Sequence, residues 1–321
     1  MSEFDLIRRF FTRLTGEYPA MLGIGDDAAL LQIDPGMDVV VSTDMLVSGT
    51  HFFPDADPFL LGHKTLAVNL SDMAAMGAHP RWATLAVSLP TVDETWLEKF
   101  SEGFFSLAQQ HGVELIGGDT TRGPLNLCVT IMGVVPHNMA LRRDGAQVGD
   151  DIWVSGKLGD AALALAHLRK EVHLSVADFS VCVGALHDPV PRVTLGIALR
   201  GVARSAIDVS DGLLADLGHI LERSGMGASI EWESLPVSDV LRTLSASSCG
   251  VARRCVLAGG DDYELCFTAP TINRKVIENI SQQLDLPLTR IGAIVPGSGC
   301  TVQAANGSVI NIEDSGYDHF R

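Results

Sequence analysis

Aspartates recur in Gly-, Ser- and Thr-rich segments spread along the chain: Gly25-Asp26-Asp27, Ser42-Thr43-Asp44, Ser71-Asp72, Gly117-Gly118-Asp119-Thr120-Thr121 and Asp208-Val209-Ser210-Asp211-Gly212. Carboxylates and hydroxyls are hard oxygen donors, and Mg²⁺ is ordinarily held by a few carboxylates together with waters and substrate phosphates. A fold that gathers these segments would make a pocket for the phosphates of a nucleotide. Asp, Gly, Ser and Thr are also the ordinary currency of turns, and for any one segment that reading is equally good. Five of them, each ending or following an apolar run, point to a site.

The elements that would carry them alternate. Phe4, Ile7, Phe10, Phe11 and Leu14 fall at helical spacing over residues 3–15, with Ser2 in the N-cap position. Val39-Val40-Val41 reads as a buried strand with Ser42-Thr43-Asp44 at its carboxyl end. Asp57-Pro58 supplies an N-cap and first helical residue for a helix that runs to Gly77 and carries Asp72 late. Residues 82–89 read as a strand and 92–111 as a helix closed by Gly112. Val113 to Ile116 reads as a strand emptying into a Gly117-Gly118-Asp119 turn, and 126–135 as a further strand. The polar stretch 136–151 breaks the pattern, which places a boundary between a first domain, 1–140, and a second, 141–321. Beyond it come a strand at 152–155, helices near 160, 174–185 and 192–204, an extended run to Asp208, and a helix opening near Asp211. A strand at 228–232, a helix after Pro236, a turn at Gly259-Gly260-Asp261-Asp262, a strand at 264–268, a helix at 272–284 and short terminal strands complete it. Two α/β or α+β domains fit this alternation.

With 321 residues, 46% hydrophobic and 19% charged, the chain is long enough for two ordinary cores. A net charge of −16 argues against a nucleic-acid or anionic-membrane surface. No apolar run of membrane-spanning length occurs and the N-terminus is acidic, so a cytoplasmic enzyme is expected. Cys128, Cys182, Cys249, Cys255, Cys266 and Cys300 form no C-x-x-C pair and read as reduced thiols. The ten histidines offer no zinc spacing. Gly156-Lys157-Leu158-Gly159 resembles a phosphate loop but fails the pattern, because Asp151 stands five before Gly156 and Leu158 follows the lysine. An EF-hand loop is likewise missing, which weakens an acidic metal-binding scaffold as the reading.

Taken together, Gly23-Ile24-Gly25-Asp26-Asp27-Ala28-Ala29, Ser42 to Val47 with His51-Phe52, Lys64 with Ala67 to Ala78, Gly117 to Thr120, Asp208 to Leu213, Gly259 to Leu265 and Gly316-Tyr317-Asp318-His319-Phe320 resemble thiamine-monophosphate kinase, in order and over almost the whole chain. Single pieces are weak; the conjunction is specific. One departure is visible, since the family's late motif reads G-G-E-D-Y-E-L and Asp261 here is one methylene shorter.

The resemblance implies a two-domain fold like that of aminoimidazole ribonucleotide synthetase: an N-terminal α/β domain that pairs strands across a homodimer, and a C-terminal α/β domain completing the site. It implies transfer of the ATP γ-phosphoryl group to thiamine monophosphate, with several Mg²⁺ ions and without a P-loop. It assigns Asp27, Ser42, Thr43, Asp44, Asp72, Asp119, Asp208 and Asp211 to magnesium. Gly118, Asp119, Arg143 and Ser210 fall to ATP, and His51, Asp261, Glu264 and Tyr317 to the thiamine side, with Asp261 or Glu264 as the acidic contact. Two anionic phosphates at ~4 Å repel by roughly 4 kcal/mol per charge pair at an effective dielectric near 20, which makes metal neutralisation intelligible. No general base is required, because a phosphate monoester is already largely deprotonated near neutrality. A synthetase of the same superfamily acting on another acceptor is the rival. The selenophosphate branch is weakened, since no Cys precedes Cys128.

Overall fold

The computed structural model describes residues 3–13, 20–25, 27–310, 316–317 and 319–320; Ser2, Leu14, Asp26 and Asp318 lie outside the described residues. The chain divides into two units, Met1–Met73 with Ala78–Asn138, and Ala74–Gly77 with Met139–Arg321.

In the first unit, α1 (Glu3–Leu6) runs into a π turn at Ile7–Phe11 rather than continuing as one α-helix. The i to i+5 spacing of that turn aligns Leu6 with Phe11 while Phe10 stays inward, and all three are buried. Next come β1 (Met37–Val47), α2 (Pro58–Ala75), β2 (His79–Leu89), α3 (Glu94–Gln110), β3 (Glu114–Arg122) and β4 (Asn126–Pro136). Capping sets the helices. Asp57 Oδ1 accepts from the amides of Phe59 at 2.9 Å and Leu60 at 3.1 Å, and Asp93 does the same for Thr95 and Trp96. The sheet order is β1-β4-β2-β3, with β4 antiparallel to both neighbours and β2 parallel to β3.

One face of this sheet is buried through Leu85, Leu127, Val129 and Ile131. α2 lies on it, its Met73 sulfur close to Gly133 of β4. On the other face Trp82, Ile116 and Val134 form a small core under Ala20, Ala29, Leu31 and Ile33. β1 departs from the buried strand expected of Val39 to Val41: it is an edge strand with Val39 46% and Val41 59% exposed.

The second unit contains β5 (Asp151–Ser155), α4 (Asp160–Leu168), α5 (Val176–His187), α6 (Val193–Ala198), β6 (Ser205–Asp208), α7 (Leu213–Ser224), β7 (Gly227–Glu231), α8 (Asp239–Ser247), α9 (Cys249–Ala258), β8 (Leu265–Ala269), α10 (Arg274–Leu284), β9 (Leu288–Val295) and β10 (Gly299–Gln303). The single helix expected after Pro236 is two, α8 and α9, separated at Ser248 with φ −143°. Six strands form a mixed sheet in the order β10-β7-β9-β5-β8-β6. Ile152, Val154, Ile207, Cys266 and Ile291 pack with Leu163, Leu217, Ile220 and Val256 from the helices in one core. All six cysteines are free. Burial pushes the Cys182 thiol up to about 12 and Cys255 to about 11, as expected of packing residues. Among the described residues no helix is long and apolar enough to cross a membrane.

Candidate active site

Ser42, Thr43 and Asp44 sit in the middle of β1, not at its end. A strand turns successive side chains to opposite faces, so Ser42 and Asp44 share the helix-covered side and Thr43 points the other way. Asp72 on α2 meets them: the Ser42 hydroxyl donates to Asp72 Oδ2. Asn69, one turn earlier on the same stripe of α2, accepts from the Asp44 amide at 3.2 Å and donates to the Thr65 carbonyl at 3.0 Å. The helix thereby holds the strand at the point where its carboxylate projects. Thr43 Oγ1 pairs instead with Thr130 Oγ1 at 2.8 Å on the opposite face.

Gly117, Gly118 and Asp119 also lie within a strand, β3, rather than in a turn. A register shift at Ala83/Thr84 leaves Ile116 as an extra residue, and Gly118 follows with φ +150° and its Cα against Leu85, where a Cβ would strike the Leu85 carbonyl. Asp44, Val129, Leu85 and Gly118 form one cross-strand row. Asp119 belongs to the next row, with Ala86, Cys128 and Met45, and faces the side opposite Asp44. Asp27 is exposed on the loop that the Leu22–Leu30 bridge closes. His51 Nδ1 accepts from the Val47 amide at 2.9 Å. As an acceptor, Nδ1 carries no proton in that bond. Lys64 is buried at 4% exposure, so it does not reach out to solvent.

In the second unit Asp208 ends β6 and is buried, while Ser210 and Asp211 stand half-exposed in the loop before α7. Three successive amides of this loop, those of Ser210, Asp211 and Gly212, all donate at 3.0 Å to Asp216 Oδ2 from the first turn of α7. Burial, with Asp208 and Asp211 nearby, pushes the Asp216 carboxyl up to about 7.

The Gly259–Glu264 segment runs beside the same loop. Asp261 N donates to Ser210 O, Tyr263 N to Val209 O, and Val209 N to Glu264 O, each at 2.8 Å. Asp261, at φ 68°, takes the left-handed conformation that Asp tolerates, and accepts from the Tyr263 hydroxyl at 3.0 Å. Glu264 is buried, engaged by Ser155 and Arg192. Tyr317 donates its amide to Asp211 O at 3.0 Å, and the residue is 48% exposed. Six predicted residues, Asp208, Ser210, Asp211, Asp261, Glu264 and Tyr317, are thus stitched around one loop. Arg143 is not: its carbonyl accepts from Ser224 Oγ at the C-terminal end of α7, about 18 Å along that helix from Gly212.

Sequence reasoning missed Asn69, Asp216, Asp262 and Arg192. Asp216 follows Gly212 by four residues, a first-turn acid whose sequence signal resembles a capping box. Both oxygens of Asp262 take the Gly159 amide at 2.9 Å, at the start of α4. Burial, with Glu264, Asp160 and Asp261 close by, holds Asp262 well above the usual carboxylate range.

The donors in both clusters are carboxylate and hydroxyl oxygens, the set that suits Mg²⁺. Among the described residues, no three or more His, Cys, Asp or Glu side chains are grouped so as to hold a metal ion.

Two mixed α/β units carrying aspartate-bearing strands and loops in place of a P-loop define an AIR synthase-related protein, and residues 25–135 match the family described as AIR synthase related protein, N-terminal domain. The thiamine-monophosphate kinase of Salmonella typhimurium is 46% identical over 320 residues, covering 99% of this chain and 98% of that protein. The crystal structure of the enzyme of the same name from Stenotrophomonas maltophilia K279a is 53% identical, with a TM-score of 0.87 and coverage of 97% and 98%. AaThiL complexed with AMPPCP and TMP is 29% identical, with a TM-score of 0.79 and coverage of 99% and 97%. The chain belongs to the thiamine-monophosphate kinase family.

Proposed function

We propose that this protein transfers the γ-phosphoryl group of ATP to thiamine monophosphate, giving ADP and thiamine diphosphate. The observation that carries this reading is the full-length identity with thiamine-monophosphate kinases, with the motif residues placed on strands and loops rich in oxygen donors. The relative bound to AMPPCP and TMP supports a site that takes both substrates together. A phosphate oxygen of the acceptor forms the new bond to the γ-phosphorus as the bond to the β-phosphate oxygen breaks and ADP departs. The attacking oxygen is already deprotonated near neutral pH, so the residues need only position it.

Mg²⁺, bound by Asp27, Ser42, Thr43, Asp44, Asp72, Asp119, Asp208 and Asp211, would neutralise the phosphates and favour in-line geometry. Gly118, Arg143 and Ser210 serve ATP, and His51 serves the thiamine-phosphate side. Asp261 or Glu264 and the aromatic face of Tyr317 serve the cationic thiazolium.

The working form is a homodimer in the cytoplasm. β1 supports the dimer, since it is an edge strand with Val39, Val41 and Met45 exposed, a surface that proteins ordinarily pair or protect. The deciding experiment incubates purified protein with ATP, Mg²⁺ and thiamine monophosphate, with free thiamine and EDTA controls. Equal molar ADP and thiamine diphosphate, dependent on metal and on the phosphorylated acceptor, are expected; ATP consumption or binding with no thiamine diphosphate would overturn the reading.

A further inference from the structure

Glu264 is held from three directions. Arg192 grips its carboxylate with both arms of the guanidinium fork, Nε to Oε2 at 2.7 Å and a second nitrogen to Oε1, and Ser155 Oγ donates to Oε2. Ser155 Oγ in turn accepts from the Leu265 amide at 2.9 Å. Gly156 leaves the room: a Cβ there would run into the Glu264 carboxylate. The Glu264 side chain is 7% exposed and that of Arg192 21%. A carboxylate so enclosed by three donors is satisfied from within the fold and is not presented to a ligand.

The backbone of the same residue reaches the loop that carries the chemistry. Its carbonyl accepts from Val209, whose own carbonyl accepts from Tyr263, and Ser210 accepts from Asp261. We propose that Arg192, which lies outside every motif of the sequence reading, is a positioning residue for phosphoryl transfer: by fixing Glu264 it sets the Asp208–Asp211 loop and presents Asp261 as the acid that meets the acceptor. This rests on the function proposed above. A fork is needed because only a planar, bidentate partner fixes the carboxylate's orientation as well as its charge; lysine supplies the charge alone.

The test compares Arg192→Lys, Arg192→Met, Glu264→Met and the double Arg192→Met/Glu264→Met variant. Hydrogen exchange is read on the peptides containing Val209, Asp261, Tyr263 and Leu265, alongside thermal melting and kinetics with ATP and thiamine monophosphate. Arg192→Met should lose kcat/KM on the order of 10- to 100-fold, as supporting shells commonly do, with faster exchange at Val209 and Leu265. Arg192→Lys should melt near the wild-type temperature yet keep the kinetic loss. In the double variant the buried charges vanish together, so melting should recover while turnover stays low. Turnover that recovers along with melting would reduce Arg192 to a stabilising role and overturn the proposal. So would a Glu264→Met variant that raises only the KM for thiamine monophosphate with Val209 exchange unchanged, since Glu264 would then be the contact. The exchange readout needs no substrate: wild-type protein that forms no thiamine diphosphate would defeat the functional reading, while loss of protection in Arg192→Met would still report on the positioning.

Discussion

Asp44 and Asp216 illustrate two different uses of a buried or half-buried carboxylate. Asp44 projects from β1 on the side that α2 covers, with its amide donating to Asn69 and Ser42 beside it bonded to Asp72. Replacing Asp44 by alanine relieves repulsion among neighbouring acids. Asp44→Ala should therefore lose at least about a hundredfold in kcat with metal and positioning gone, while urea unfolding in EDTA stays at wild-type values. Near-normal turnover at limiting Mg²⁺ would remove Asp44 from the site. Asp216 faces inward, where one of its oxygens takes three consecutive amides. Asp216→Ala strands those donors, each worth about 1–3 kcal/mol when buried and unmet, and should lower the melting temperature and the activity together. Asp216→Asn keeps an acceptor oxygen in place and should recover most of the stability; equal destabilisation by Ala and Asn would show that the amides are satisfied in some other way.

At the scale of elements, glycine carries two messages that a sequence does not separate. Gly117-Gly118 reads as a turn, yet both lie in β3, and the need for glycine at one of them comes from the neighbouring strand. Gly118→Ala should break the β2–β3 pairing and cost several times the ~1 kcal/mol typical of an unstrained glycine-to-alanine change. Gly117→Ala, whose Cβ would meet only the Thr84 methyl at 3.8 Å, should be tolerated in the same unfolding assay. Asp57-Pro58 and Gly112 were legible because capping is local. The middle of β1 was not, because an apolar run looks alike whether a strand is buried on both faces or exposed at an edge. Asn69, Asp216 and Arg192 were invisible for a different reason: each acts on a partner chosen by tertiary packing.

Asp160 is another such case. Where α4, α5 and α8 meet, it accepts from Ser238 Oγ at 2.5 Å and from the Cys182 thiol at 3.6 Å. Burial raises its carboxyl above the usual range, against the opposing pull of Ser238, Cys182 and the charge of Lys157, with Asp262 the other acid nearby. A folded-state pKa above the unfolded one gives stability that is complete below the ordinary carboxylate value and is lost as pH rises through the folded one. Asp160→Asn should accordingly gain on the wild type as urea unfolding is repeated from acid to neutral pH, whereas a pH-independent difference would rule this out.

At the scale of the whole molecule, the strand register raises the question of whether one copy supplies both aspartates. Asp44 lies on β1 and Asp119 on β3, the two edges of one sheet, three strand spacings or about 14 Å apart. Their side chains also leave opposite faces. If both serve one phosphate site, the first unit of a single copy does not hold them together, and the question is whether the Asp119 of one copy serves the Asp44 of another. Mixed dimers test this. Asp44→Ala and Asp119→Ala proteins should each be inactive alone. Unfolded together and refolded at equal concentration, half the dimers are mixed, and each mixed dimer has one site with both aspartates and one with neither. Activity should then return to about a quarter of wild type, as two-fold symmetry requires. If each site draws both aspartates from one chain, every chain in the mixture remains defective, and no mixing ratio restores turnover.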